Sequence, residues 1–256
     1  MDRDALQRPK ILLYHDLTAR GRVAVATARQ RFGAQLDAIA AAGFAFASVD
    51  DFLGGGLGSR HAVVTFDDGL RSFAEVAMPE LDARGIPVAI FVLSAFAGGE
   101  QARRLFLGWD EVRALADDGV HVGCHGAYHV PLDQVGPGRM QAEISQSLAA
   151  FRQQGLEPTT FAYPFGRYDD ATKQRVREAR FHAAFTVMKG GADDFEIRRR
   201  LLTGAESPTR LRFVLSDGFF DTRDAVRRFI PRRFLKQEQP IAEERWGARG
   251  FGLPDA

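Results

Sequence analysis

Short runs of consecutive apolar residues alternate along this chain with stretches whose apolar residues recur every three to four positions. Lys10–His15, Ala62–Phe66 and Pro87–Leu93 are runs of the first type. Segments this short and this rich in Val, Ile, Leu and Phe read as strands buried on both faces. After the first of them, Phe32, Leu36 and Ile39 share one helical face, with Thr27 as the expected N-cap and Gly43 as the stop. Phe44–Ser48 reads as a short strand, Gly54–Gly58 as a loop, and Ser72–Arg84 as a helix ended by Gly85. Helix and strand then alternate again. Helices are expected at Trp109–Asp118, Met140–Gln154 and Asp170–Ala179, and strands at Val120–Cys124, Thr160–Tyr163 and His182–Val187.

Strands separated by helical crossovers pair in parallel, so the chain reads as an α/β protein of about seven β/α steps. No repeat period and no interdomain linker interrupts the series. The expected fold is a distorted (β/α)7-type barrel in a single domain, spanning residues 1–209. Residues 210–256 are expected to form a C-terminal helix and basic tail, packed on or extending from the same domain. A barrel has a mechanistic consequence, because the ends of its strands and the loops after them converge on one rim. Asp67-Asp68, His125–His129 and Pro164-Phe165-Gly166 each follow directly on an expected strand.

Composition narrows the partners. With 34 basic and 33 acidic residues there is no global electrostatic case for nucleic acid. The only cysteine, Cys124, excludes an intrachain disulfide and fits a reducing compartment. The N-terminal residues hold no apolar stretch of signal-peptide type, and no run is long enough to span a bilayer, so a cytoplasmic location is expected. One segment departs from neutrality. Arg210–Lys236 carries eight basic residues against three aspartates, with five phenylalanines among them. It reads either as a helix with a solvated basic face or as a peripheral contact with anionic lipid or a lipid-linked substrate.

The candidate chemistry starts from two adjacent carboxylates in Thr65-Phe-Asp-Asp-Gly69. Neighbouring strand residues point to opposite faces, but a turn at the strand end, which Gly69 permits, lets both aspartates face one site. Such anions repel unless a cation or a proton lies between them. Asp68 also precedes a helix, so a capping role is its alternative. His125-Gly-Ala-Tyr-His129 supplies two imidazoles at a common metal-chelating interval. Two histidines and one carboxylate make an open catalytic metal set, and the second carboxylate is then free to act as a base.

Together with Tyr163-Pro-Phe-Gly-Arg-Tyr-Asp169, these motifs make the stretch from Ala62 to Asp169 resemble the polysaccharide deacetylase family, the NodB-homology domain of carbohydrate esterase family 4. Tyr14-His15 and Gly108-Trp109-Asp110 resemble one branch of it, the biofilm poly-N-acetylglucosamine deacetylases. The resemblance implies a hydrolase removing an N-acetyl or similar acyl group from an amino sugar or glycan. It implies Asp67 as general base and Asp68, His125 and His129 as ligands of a divalent metal, zinc first and cobalt or nickel as substitutes. Phe165 matches the position whose backbone N–H helps form the oxyanion hole. Tyr163 and Trp109 are the candidate substrate contacts, Trp109 by stacking on a sugar ring.

The chain departs from the family pattern at three places. Gly126 stands where Ser or Thr usually follows the first motif histidine. Ala162 stands where an arginine usually orients the base, which leaves Arg198, Arg199 and Arg200 as the candidate replacements. No histidine follows His182, so the usual late acid is missing, and His15 is expected to protonate the leaving amine. Two other functions remain in view. One is a cytosolic deformylase or deacylase acting on a lipid-linked or nucleotide sugar; the other is a glycan-binding barrel without activity. The remaining polar residues receive structural readings: His61 in a turn, His121 and Cys124 in packing, and no role for His182.

Overall fold

The structure, a computed structural model, describes residues 8–18, 22–187, 190–191 and 193–222. Every pairing between its strands is parallel. The strands are β1 (Lys10–Tyr14), β2 (Ala45–Ala47), β3 (His61–Phe66), β4 (Val88–Val92), β5 (His121–Cys124), β6 (Thr160–Ala162), β7 (Ala183–Thr186), β8 (Ile197–Arg198) and β9 (Arg200–Leu201). Their order is β8-β7-β6-β5-β4-β3-β1-β9, with β2 paired to β3 off this path. The two edge strands of the sheet are therefore neighbours in sequence, separated by Arg199 alone.

That adjacency bends the sheet into a nearly closed barrel. The segment Ile197–Leu201 gives its first half to β7 and its second half to β1, and Arg199 N donates to Thr186 O at 2.8 Å. With β8 and β9 taken as one interrupted strand, seven strands encircle the interior, as the (β/α)7 expectation required. The interior holds Ile11, Val63, Ala89, Phe91, Ala162, Ala183, Phe185 and Ile197.

Helices cover the outside: α1 (Val25–Ala41), α2 (Val49–Gly54), α3 (Met78–Asp82), α4 (Ser94–Ala97), α5 (Trp109–Asp117), α6 (Pro137–Gln153) and α7 (Asp170–Glu178). The strand period sorts residues between the two sides. Tyr14 and Phe66 pack on each other and on Phe32 of α1, and Phe66 also meets Phe73, with ring centroids 5.1 to 5.9 Å apart. The residues next to them, His15 and Asp67, turn to the barrel mouth.

Several local expectations change. Helix α1 starts at Val25 with Ala24 at its cap and no side-chain capping bond, not at Thr27. Burial of Ala28 and Phe32 extends the helix past the capping signal. The expected 72–84 helix opens as a π-helical turn, Phe73–Ala77, before α3. Pro79 has no N–H to give Glu75 O, and that carbonyl instead accepts from Arg29 Nε at 2.7 Å. Helix α2 was not legible as a helix; its six residues begin with a capping box in which Ser48 Oγ accepts from Asp51 N at 3.0 Å.

Two compact units are distinguished, Met1–Glu206, which contains the barrel, and Ser207–Ala256. The described part of the second unit holds α8 (Pro208–Leu215), capped by Ser207, and the ring cluster Phe213, Phe219 and Phe220. Of the basic segment Arg210–Lys236, positions 223–236 lie outside the described residues. No helix among the described residues is long and apolar enough to cross a membrane.

Candidate metal centre and catalytic site

Asp67 and Asp68 follow β3, and the chain turns between them. Asp68 has φ 73°, a left-handed backbone that bulky residues rarely adopt. The reversal lets consecutive carboxylates face one cavity, as the sequence suggested. Asp68 does not cap a helix: the following helical turn has Ser72 at its cap position. Its Oδ1 lies 3.5 Å from His125 Nε2 and 3.6 Å from His129 Nε2.

The histidines sit at the end of β5 and in the loop after it. His125 Nδ1 donates to Ala162 O at 2.7 Å, which fixes the tautomer that leaves Nε2 with a lone pair. His125 Nε2 and Asp68 Oδ1 are buried without a hydrogen-bond partner among the described residues. Unpaired buried atoms of this kind are costly, so a ligand that satisfies both is expected there. One ligand atom from each of Asp68, His125 and His129 lies within 4.8 Å of the others. Atoms bound to one tetrahedral ion at about 2.0–2.1 Å stand about 3.3 Å apart, close to the separations found. The donor set fits a divalent metal.

Charge at the site follows from burial and neighbours. Burial alone would raise the Asp67 carboxyl, but the positive charge of Arg199 and the imidazoles of His125 and His15 hold it below its ordinary value. Asp68 is likewise held low against burial by His125, His129 and His15. For His129 burial prevails over the pull of Asp68 and brings the imidazole down to about 4. It is therefore neutral at pH 7, the form a metal ligand needs. His125 moves up, since Asp67 and Asp68 outweigh its burial.

Asp67 is placed by an arginine. Arg199, fully buried, gives Nη1 to Asp67 Oδ1 at 2.7 Å and Nη2 to Oδ2 at 2.6 Å. Its guanidinium also lies over Phe91 and Phe185, 5.3 and 5.7 Å from the ring centroids. Of the three candidate arginines, Arg199 is the one that pairs with Asp67. The reason is topological: it stands between β8 and β9, where barrel closure directs it inward. His15 Nε2 lies 4.0 Å from Asp67 Oδ2 and is more exposed than the rest of the cluster.

Phe165 has φ 60° in the turn after β6, and its ring packs on His129 at 4.5 Å. Among the described residues, three of the four non-glycine positions with positive φ, Asp68, His129 and Phe165, thus belong to this site. Backbone strain of this kind costs about 1–3 kcal/mol per residue and collects at functional sites. Arg167 ties the two loops, holding Asp133 with Nε at 3.0 Å and Nη2 at 2.8 Å.

Tyr163 and Trp109 do not join the cluster. The Tyr163 ring is buried, stacked on Tyr168 at 4.9 Å, and its hydroxyl donates to Phe195 O at 3.1 Å. Trp109 starts α5, half-buried, with its ring edge to Phe151 at 5.0 Å. Cys124 points away from the ligands toward α6, its Sγ 3.1 Å from Ser147 Oγ. His121 lies at the other end of β5, with Nε2 2.8 Å from Thr160 Oγ1 and Nδ1 3.2 Å from Asp50. One participant had gone unnoticed in the sequence. Glu143 of α6, fully buried, accepts from the Ala127 and Tyr128 amides of the ligand loop. Its signal was available, since Glu143 and Ser147 interrupt the buried stripe Met140, Ile144, Leu148 and Phe151.

Comparison with known proteins bears on both the fold and the family. YxkH of Bacillus subtilis, named as a polysaccharide deacetylase, is 26% identical over 131 residues, which is 51% of this chain and 46% of YxkH. This chain thus matches about half the length of that relative. Among solved structures, the Streptococcus pyogenes deacetylase PplD, in complex with acetate, aligns with a TM-score of 0.69 at 21% identity, over 82% of this chain and 98% of PplD. IcaB from Ammonifex degensii aligns with a TM-score of 0.67 at 25% identity, over 82% of this chain and 98% of IcaB. The family model described as polysaccharide deacetylase matches residues 54–184. That span carries Asp67, Asp68, His125, His129 and Phe165, and the chain belongs to the polysaccharide deacetylase family.

Proposed function

We propose that this protein is a metal-dependent carbohydrate deacetylase that hydrolyses the amide of an N-acetyl or similar acyl group on an amino sugar within a glycan. The observation that carries the reading is the division of labour between two adjacent carboxylates. Asp67 is gripped by Arg199, whereas Asp68 faces two imidazoles. In this reading Asp68, His125 and His129 hold the ion, most naturally zinc, with cobalt or nickel able to use the same donors. When bound, the ion supplies Lewis acidity to the acyl carbonyl and to the attacking water.

The chain's own groups account for the proton transfers. Asp67 accepts a proton from the attacking water, and the Arg199 fork holds it ionised and oriented for that task. Oδ2 of the pair, besides accepting from Arg199, is approached by His15 Nε2 and His125 Nε2 at 4.0 and 3.8 Å. His15, protonated, gives its proton to the amine as the carbon–nitrogen bond breaks. The Phe165 N–H, in a turn with left-handed backbone, serves the carbonyl oxygen as charge builds on it. The Tyr14-His15 pair, which carries the resemblance to poly-N-acetylglucosamine deacetylases, makes that glycan the first substrate to try.

Acetate release from N-acetylglucosamine oligomers by metal-loaded protein tests the reading, with formylated oligomers beside them and Asp67→Asn as the control. Release that depends on Asp67 supports it. A protein that takes up one ion per chain yet frees no acyl group from any of these sugars would overturn it.

A further inference from the structure

Backbone groups of the loop between the two histidine ligands are held from both α4 and α6. Gly126 has φ 84° and His129 has φ 59°, so the loop holds two left-handed residues within four positions. Such a backbone persists only when surrounding groups fix it. The amides of Ala127 and Tyr128 both point to one atom, Glu143 Oε2, at 3.1 and 2.9 Å. One turn further along α6, Ser147 Oγ donates to Gly126 O at 3.1 Å. Gly126 O and Ala127 O also accept from Ser94 N and Ala95 N, at 3.1 and 3.2 Å. Arg139 Nη2, one turn before Glu143, lies 2.7 Å from Oε1 and offsets part of the cost of burying its charge. Glu143 and Ser147 are 1% and 0% exposed, although helices normally bury apolar residues at such positions.

We propose that Glu143, assisted by Ser147, is the positioning residue of the metal centre: it sets the shape of the His125–His129 loop and thereby the separation of the two imidazoles. No side chain at position 126 could do this without strain, because a residue with φ 84° disfavours a Cβ. A carboxylate reaching in from α6 needs no such change. It accepts two consecutive amides at once, which locks their relative orientation more firmly than two separate acceptors would. Glu143 lies outside the cluster of Asp68, His125 and His129. Its effect passes through the backbone to His125 and His129, as outer partners of metal ligands do elsewhere.

The inference rests on the metal reading above, and its test separates the two. Co2+ and Zn2+ affinities are measured by competition with a chromophoric chelator, together with the visible spectrum of the Co2+ form and the melting temperature of the metal-free protein. The variants are Glu143→Ala, Glu143→Gln and Ser147→Ala, and a stability-matched control is Phe32→Leu, on the far side of β3. Glu143→Ala is expected to lose about ten- to a hundredfold in affinity, the range for outer-partner substitutions, and to alter the Co2+ absorption. Glu143→Gln, which keeps one acceptor oxygen, should lose less, and Phe32→Leu should leave affinity and spectrum unchanged at an equal loss of melting temperature. Should Glu143→Ala not fold, Glu143→Gln and Ser147→Ala carry the same comparison. Wild-type affinity and spectrum in the Glu143 variants, or losses no greater than in Phe32→Leu, overturn this proposal alone. Absence of metal binding by the wild-type protein overturns the functional reading and this proposal with it.

Discussion

Arg199 holds both carboxylate oxygens of Asp67, at 2.7 and 2.6 Å, across 132 positions of chain. Neither residue is more than 3% exposed, so each is the other's main compensation for leaving water. Removing one member of such a pair costs about 3–5 kcal/mol, because the survivor is left buried and uncompensated. Arg199→Met is therefore expected to destabilise the protein by about that amount, and Arg199→Met combined with Asp67→Asn by clearly less. Urea denaturation of the four proteins gives the cycle. Additive losses would show that the two residues do not act as a pair.

Asp67→Asn should separate base from ligand. The amide retains the shape of the carboxylate but accepts a proton poorly, while Asp68, His125 and His129 remain in place. Metal content should stay at wild-type level and turnover should fall about a hundred- to ten-thousandfold, the contribution of a positioned base. Near-normal turnover would move the base elsewhere.

The ligand set predicts the opposite pattern. His129→Ala and Asp68→Ala each remove a donor from the buried cluster. Elemental analysis after dialysis should find most of the metal gone from both proteins. Full occupancy in either variant strikes that residue from the set.

His15→Ala should keep fold and metal, since its imidazole is at the mouth and 4.0 Å from Asp67. If it protonates the leaving amine, hydrolysis of an amide should suffer far more than hydrolysis of an activated ester, whose leaving group needs little protonation. Equal losses on both substrates would remove the acid role, and loss of metal would make His15 a ligand.

Cys124 should be inert in the native protein. It is fully buried, and burial pushes its thiol up to about 11, with only partial relief from Ser147 and the Gly126 amide. At pH 8 little thiolate exists and no reagent can reach it. A disulfide reagent should titrate about no thiol per folded chain and one after denaturation; fast native reaction would contradict the buried placement.

Much of the fold was legible because it is written locally. Consecutive apolar residues in 10–14, 62–66 and 88–92 announce strands, and the spacing of Phe32, Leu36 and Ile39 announces a helix, whatever the rest of the chain does. The four residues from Asp67 to His129 that carry the candidate chemistry were found the same way. Two neighbouring carboxylates at a strand end and two histidines four apart need no tertiary knowledge to be recognised. Where local signals competed with packing, packing prevailed, as at Thr27, whose capping signal lies inside a helix begun earlier by Ala28 and Phe32.

Contacts between distant segments were settled only by the folded chain. β8 and β9 are two residues each, too short to show any period, yet they close the barrel and choose Arg199 over its two neighbours as the partner of Asp67. That choice depends on which side of a strand faces inward, and a shift of one residue would have presented Arg198 or Arg200 instead. Glu143 is a similar case: on α6 it looks like a polar intrusion into an apolar stripe, and only the approach of the His125–His129 loop gives its carboxylate two amides to hold. Local pattern marks which residues could do chemistry and which strand ends carry them. The tertiary structure decided which buried charges meet, because a pairing across more than a hundred residues is set by closure of the barrel and not by any pattern near either partner.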